Sequence, residues 1–237
     1  MRVAIIGLPR SGSTIVASVV NSIDGSLIIG EPHRLTSMPR PRGFEKRPII
    51  FHTRYGRFDA YKGSSILDQI DEFALQHDTT MWGFKECQTF MTDALDLVVS
   101  EYSGRIDKVL DTIRHPLTNY SSLNALGHRP WEPESYNKAY ASLVKYSMTN
   151  AIASPVVLEL FRKNPVGVIE SALGVSAQSA FPLKQYGGGG DTYASTAKKI
   201  MKEDTRPLWH DVDDVAESIE TYDRLIGELN GTDNSYD

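Results

Sequence analysis

Residues 2 to 20 run from an apolar stretch, Arg2-Val3-Ala4-Ile5-Ile6, through Gly7-Leu8-Pro9-Arg10-Ser11-Gly12-Ser13-Thr14, into the helical run Ile15-Val16-Ala17-Ser18-Val19-Val20. A continuous apolar run of strand length suits a strand covered on both faces, and a glycine turn leading straight into a helix lays that helix back over the sheet. In this strand-turn-helix arrangement the loop amides point inward and the helix dipole favours negative charge, so the turn can hold a phosphate or a similar oxyanion. Two glycines five apart, closed by Thr14, reproduce the frame of a nucleotide-phosphate loop, but Ser13 stands where that frame has lysine. A usual contact to the outer phosphates of a nucleoside triphosphate is therefore missing, and Arg10 carries the charge of the loop. This counts against an ATP- or GTP-hydrolysing motor and favours a nucleotide whose terminal group is less charged than a γ-phosphate.

Beyond the loop, apolar runs of strand length alternate with segments of helical period. The strands are expected at Arg2 to Ile6, Ser26 to Ile29, Met81 to Lys85, Lys108 to Ile113 and Val156 to Leu160. Helices are expected near Gly12 to Ile23, Ser64 to His77, Thr89 to Tyr102, Leu117 to Leu126, Glu132 to Ile152, Pro165 to Leu173, Tyr193 to Glu203 and Val212 to Leu229. The pattern predicts a three-layer α/β/α domain with a mainly parallel sheet over residues 1–229, ending in a flexible acidic tail at 230–237. At 237 residues, a single core is the expectation. Arg34 to Lys62 interrupts the alternation with eight basic residues against two acidic, several prolines and no clean period, and reads as a long basic loop or cap.

Composition narrows the chemistry. A single cysteine, Cys87, excludes an internal disulfide framework and a cysteine-built zinc site, and no metal is expected. No stretch approaches the roughly 18 to 20 apolar residues of a membrane helix, and the apolar start stops at Gly7-Leu8-Pro9 without a signal-peptide core, so a cytoplasmic location is expected. Net charge is −5, but Glu203 to Asp237 holds eleven acidic and two basic residues, leaving 23 basic against 19 acidic in the rest. A body so mildly basic does not suit general nucleic-acid binding, yet leaves room for a local anion site.

A second motif has that character. Arg114-His115-Pro116-Leu117-Thr118-Asn119-Tyr120-Ser121-Ser122 follows the apolar strand Val109 to Ile113, with Arg114 at the strand's carboxyl end. Pro116 opens the next helix and sets Ser122 about two turns on, so a guanidinium and a hydroxyl can converge on one phosphate at the sheet edge. Together the two motifs suggest a nucleotide with two separate anionic ends.

These residues resemble the sulfotransferases that use 3′-phosphoadenosine 5′-phosphosulfate (PAPS). Pro9-Arg10-Ser11-Gly12-Ser13-Thr14 is similar to that family's 5′-phosphosulfate loop in the arginine form of tyrosylprotein and carbohydrate sulfotransferases, and Arg114 with Ser122 matches its 3′-phosphate pair. Leu158 to Phe161, Asn164-Pro165 and Leu173-Gly174-Val175 resemble its late strand and proline-started helix, so the likeness covers about residues 2 to 175. The resemblance implies PAPS as donor, adenosine 3′,5′-bisphosphate (PAP) as product, no metal, and a small-molecule, glycan or peptide hydroxyl as acceptor, with no nucleic-acid or membrane partner. It also implies Glu31, in Gly30-Glu31-Pro32-His33-Arg34, as catalytic base, and Lys85, with Arg10, as stabiliser of the transferred group. Glu86 is the alternative base. Gly189 and Gly190, before a helix containing Lys198, are similar to a glycine-rich loop over the 3′-phosphate. Two other readings stay open: a nucleotide kinase on the same scaffold, and a nucleotide-binding module without catalysis.

Overall fold

The computed structural model describes residues 1–89, 92–125, 131–176 and 212–233. Its strands are β1 (Arg2–Gly7), β2 (Ser26–Gly30), β3 (Ile49–Thr53), β4 (Gly56–Ala60), β5 (Met81–Lys85), β6 (Lys108–Ile113) and β7 (Ala153–Val157). Its helices are α1 (Ser13–Val20), α2 (Pro32–Ser37), α3 (Ile66–Gln76), α4 (Ala94–Asp96), α5 (Pro116–Asn124), α6 (Pro133–Thr149), α7 (Leu158–Lys163), α8 (Pro165–Leu173) and α9 (Ala216–Asp233). Five strands form one parallel sheet in the order β2-β5-β1-β6-β7.

Side-chain alternation along β1 divides the core in two. Ala4 and Ile6 join one apolar cluster with residues of α3, α5, α6 and α9, while Val3 and Ile5 join the other with residues of α1 and α8. Every one of these four residues is inaccessible to solvent, as a central parallel strand with helices on both faces requires. The result is the expected three-layer α/β/α arrangement. Among the described residues no helix is long and apolar enough to cross a membrane.

Several expectations are corrected. The last strand occupies Ala153–Val157 rather than Val156 to Leu160, and Leu158 already opens α7. Pro155 is tolerated there because β7 is an edge strand and only one of its sides must supply the ladder. The helix expected from Thr89 starts at Ala94, where the Asp93 carboxylate accepts the Asp96 N–H as an N-cap, and it then widens into a π turn over Leu97–Glu101. The basic segment is not an unstructured loop throughout: it contains most of α2 and the antiparallel hairpin β3–β4, whose Phe58 and Ala60 are buried against α3. At the other end, Val212–Val215 forms a 3₁₀ turn and α9 runs to Asp233, into the segment expected as tail. The helix expected at Tyr193 to Glu203 lies outside the described residues.

Asp111, in the centre of β6, is fully buried and accepts a 2.7 Å hydrogen bond from Ser147 Oγ. Burial pushes its carboxyl up to about 7, with the Ser147 bond working weakly the other way. A folded-state value above the ordinary carboxylate range contributes stability that is complete below that range and is lost as pH rises through about 7. Asp111→Asn should therefore be more stable than the parent at pH 8, by up to about 4 kcal/mol, with the gap closing toward pH 5. Urea denaturation at the two pH values measures it; a gap that does not change with pH contradicts the burial argument.

Candidate functional site

The turn after β1 is built from conformations that few residues accept. Ser11 N–H donates to Leu8 C=O at 3.1 Å, Arg10 sits in the left-handed region at φ 71°, and Gly12 follows at φ 100°. Gly7 has no room for a side chain: a Cβ there would lie 2.1 Å from Thr112 Oγ1 and 2.7 Å from Ser11 Oγ. Those two hydroxyls bond each other at 2.7 Å, and Thr112 Oγ1 donates on to Ile6 C=O, which fastens the loop to β6. Gly12 is the N-cap of α1 and offers no capping side chain, nor does the first turn hold an acidic residue. The amides of Ser13 and Thr14 thus open the helix without a side-chain acceptor, which suits the oxyanion inferred from the sequence.

From the far side the loop is clasped by the strand end and helix that follow β6. Arg114 is buried and its Nη1 donates to Arg10 C=O at 3.0 Å, while Asn119 Nδ2 donates to Pro9 C=O at 3.0 Å. Arg10 Nε in turn reaches Ser122 Oγ at 3.2 Å. Pro116 occupies the first turn of α5, as its sequence position indicates, and this carries Ser122 back to the loop. Tyr140 OH donates to Arg114 C=O and Tyr136 OH to Asn119 Oδ1, so both clasping residues are themselves fixed from α6. Arg10, Arg114 and Ser122, chosen from two distant motifs, thus meet in one place.

The second half of the site lies at the ends of β2 and β5. Gly30 is in register with Lys85, and Glu31 N–H donates to Lys85 C=O at 2.6 Å, so the two side chains leave the sheet at one level. Glu31 takes a left-handed backbone at φ 54° and caps α2, whose first turn Pro32 begins. Its Oε1 accepts from Lys85 Nζ and its Oε2 from Arg34 Nη1. Cys87 Sγ lies 3.9 Å from Glu31 Oε1 and 3.5 Å from Ser13 Oγ, bridging this pair to the phosphate-type loop. Burial works to raise the Glu31 carboxyl, yet Lys85 and Arg34 outweigh it and hold it below its ordinary value. Burial likewise opposes the Lys85 ammonium, and Cys87 and Glu31 beside it more than offset this, so it is held above its ordinary value. The Cys87 thiol is pushed up by burial.

Glu86, the alternative base, has another task. It is fully buried, its Oε1 accepts from the backbone N–H groups of His33 and Arg34, and it pairs with His33 Nδ1 at 3.1 Å. It caps α2 from below, and His33 Nε2 continues the chain to Tyr102 OH at 2.8 Å. Four aromatic residues that could offer a face to a base or an acceptor ring are otherwise engaged: Phe58 and Trp131 are buried core, Tyr55 stacks on His77, and Trp82 Nε1 donates to Asp71. Gly189, Gly190 and Lys198 lie outside the described residues. Asn119 and Thr112 were not singled out in the sequence; Asn119 stands three residues before Ser122, one turn along the same face of α5, which is the signal that marks it.

Beside Glu31 and Lys85 opens a cleft of about 370 Å³, bounded by α1, β2 and the hairpin strand β3. No protein-family model and no curated protein sequence matches the chain. Among solved structures, it is similar to the sulfotransferase domain of the olefin synthase of Synechococcus PCC 7002, with TM-score 0.50 and 15% identity over 94% of each chain. It is also similar to the sulfotransferase STF1 of Mycobacterium tuberculosis H37Rv, with TM-score 0.47 and 13% identity over 92% of this chain and 76% of that one. The first of these likenesses extends the three-layer description: the chain has the fold of a sulfotransferase domain.

Proposed function

We propose that this protein transfers a sulfuryl group from PAPS to an acceptor hydroxyl and releases PAP. The observation that carries the reading is the meeting of two anion-binding features with one acid-base pair. The uncapped start of α1 and the Arg10–Arg114–Ser122 cluster lie on one side, and Glu31 with Lys85 at the adjoining strand ends on the other. Cys87, within 4 Å of both Ser13 and Glu31, gives the distance between the halves.

Each residue then has a physical role. The Ser13 and Thr14 amides hold the 5′-phosphate side of the donor, with Pro9, Ser11 and Gly12 shaping the turn. Arg114 and Ser122 hold the 3′-phosphate, and the family resemblance assigns Gly189, Gly190 and Lys198, which lie outside the described residues, to the same phosphate. When bound, the donor supplies an activated sulfuryl group and a phosphate leaving group. Glu31 accepts the proton of the acceptor hydroxyl, and the Lys85 ammonium, with Arg10, stabilises negative charge that grows on the leaving oxygen. Lys85 is shared between Glu31 and that charge, so moving it toward the leaving oxygen frees Glu31 to take the proton. In-line positioning supplies the remainder.

Thermal unfolding with PAP, and separately with ATP and magnesium, tests the donor assignment. At about 100 times its dissociation constant a ligand of the native state adds about 2.7 kcal/mol, which for a chain of this size is a rise of roughly 5–10 °C. The rise is expected with PAP and not with ATP and magnesium, because Ser13 replaces the lysine that reaches outer phosphates. The reverse result assigns the site to a kinase.

A further inference from the structure

We infer that the acceptor is a slender, uncharged alcohol lying along the outer edge of β2 with its hydroxyl at Glu31. This inference rests on the sulfuryl-transfer reading above. The cleft has a direction. Thr14, Ala17, Ser18 and Asn21, at helical spacings of three and four, form one stripe of α1 and one wall, about 10 Å long from the rise of the helix. Glu31 and Lys85 stand at the Thr14 end, where Cys87 Sγ lies within 4 Å of both Ser13 Oγ and Glu31 Oε1. At the other end Arg54 closes the wall, its guanidinium donating to the Asn21 and Ile23 carbonyls and pairing with Asp24.

The lining selects among the acceptor classes. Leu35, Ile50 and Phe51 with Ala17 supply apolar surface to the trough, Leu27 and Ile29 being almost fully buried behind it, while Asn21, His52 and Thr53 add uncharged polar groups, and about 370 Å³ is the scale of a small-molecule site. The one arginine at the far end is already matched by a carboxylate and two carbonyls, so the trough does not call for an anion. A peptide acceptor would gain most by adding a strand to the β2 edge, but that edge is capped. Asn21 Oδ1 accepts the Ile28 N–H at 2.6 Å and its Nδ2 donates to Ile28 C=O at 2.9 Å, while Ser26 N–H is held by Ile23 C=O. The small side chains of Ala17 and Ser18 leave the room that a chain or a single ring takes.

The test uses the full-length protein with PAPS and a series of primary alcohols from ethanol to decanol, beside a tyrosyl peptide and a saccharide. The kcat/KM is expected to climb roughly three- to fourfold per methylene and to level off once the chain spans the trough. Ser18→Leu should move that plateau to shorter alcohols with PAP affinity unchanged. Gly30→Val, at a position where an added Cβ meets no atom within 4 Å, should depress every alcohol with PAP affinity unchanged. No dependence on chain length, turnover of the peptide or saccharide above all alcohols, or a plateau unmoved by Ser18→Leu overturns the acceptor inference. PAP binding without turnover of any alcohol overturns that inference alone, whereas failure to bind PAP overturns the sulfuryl-transfer reading and the inference with it.

Discussion

Glu31→Gln is expected to bind PAP within about twofold of the parent while losing between about 10² and 10⁴ in kcat, the range that general-base assistance supplies. The substitution is close to isosteric, and the carboxamide oxygen still accepts a hydrogen bond from Lys85 or Arg34, while the Glu86 carboxylate keeps its hold on the first amides of α2, so the local fold survives. What disappears is the ability to take a proton. Glu31 lines the 370 Å³ cleft and its carboxylate is kept ionised by its two cations, so it is available in the proton-accepting form at neutral pH. Isothermal titration with PAP, together with single-turnover sulfuryl transfer, separates the two quantities. Turnover near that of the parent would leave Glu31 as a structural anchor for Lys85 and Arg34. A loss of PAP affinity matching the loss of rate would place its role in donor binding instead of proton transfer.

The phosphate-type loop was legible from its own residues, Glu31 and Lys85 were named through the family resemblance, and the cleft wall that depends on tertiary packing was not legible. The strand, loop and helix of residues 2–20 could be read because apolar run, glycine turn and helical period sit side by side, and Pro165–Leu173 was bounded by its own proline and glycine. Arg114 and Ser122 were legible for the same reason: a strand end and a proline-started helix dictate where they project. The hairpin β3–β4 escaped because only Phe58 and Ala60 of it are buried, its burial alternates weakly along β3, and its Arg54-Tyr55 turn lacks the Asn-Gly or Asp-Gly signature of a two-residue hairpin. That hairpin forms a wall of the cleft, so the acceptor side was hidden by the same weakness of pattern. Cys87 is buried, and its position between Ser13 and Glu31 is set by the pairing of β5 with β1, which spacing alone does not convey.

Lys85→Met is expected to lower kcat by about 10² to 10³, the typical cost of removing one donor aimed at developing charge, and also to change the pH profile in a direction that a purely structural lysine would not. In the parent, burial tends to raise the Glu31 carboxyl, but Lys85 and Arg34 hold it below its ordinary value, so the acid limb of kcat/KM should lie below the usual carboxylate range. Methionine keeps the apolar stem in a position that is only 4% exposed and deletes the charge. Burial then acts on Glu31 with Arg34 alone opposing it, and the acid limb moves toward neutral pH. Stability follows the same sign. The depressed folded-state value contributes stability that is present above the ordinary carboxylate range and is lost as pH falls through the folded-state value, and in the variant that contribution shrinks. Because Arg34 still faces Glu31, the cost stays below the 3–5 kcal/mol of a buried charge left wholly unpaired, and the variant should remain folded for kinetic work. A fall in kcat with the acid limb unmoved would show that the titrating base is not coupled to Lys85, and would transfer the proton-accepting role away from Glu31. An upward shift of the limb with kcat intact would leave Lys85 as the keeper of Glu31's charge and remove it from the transition state.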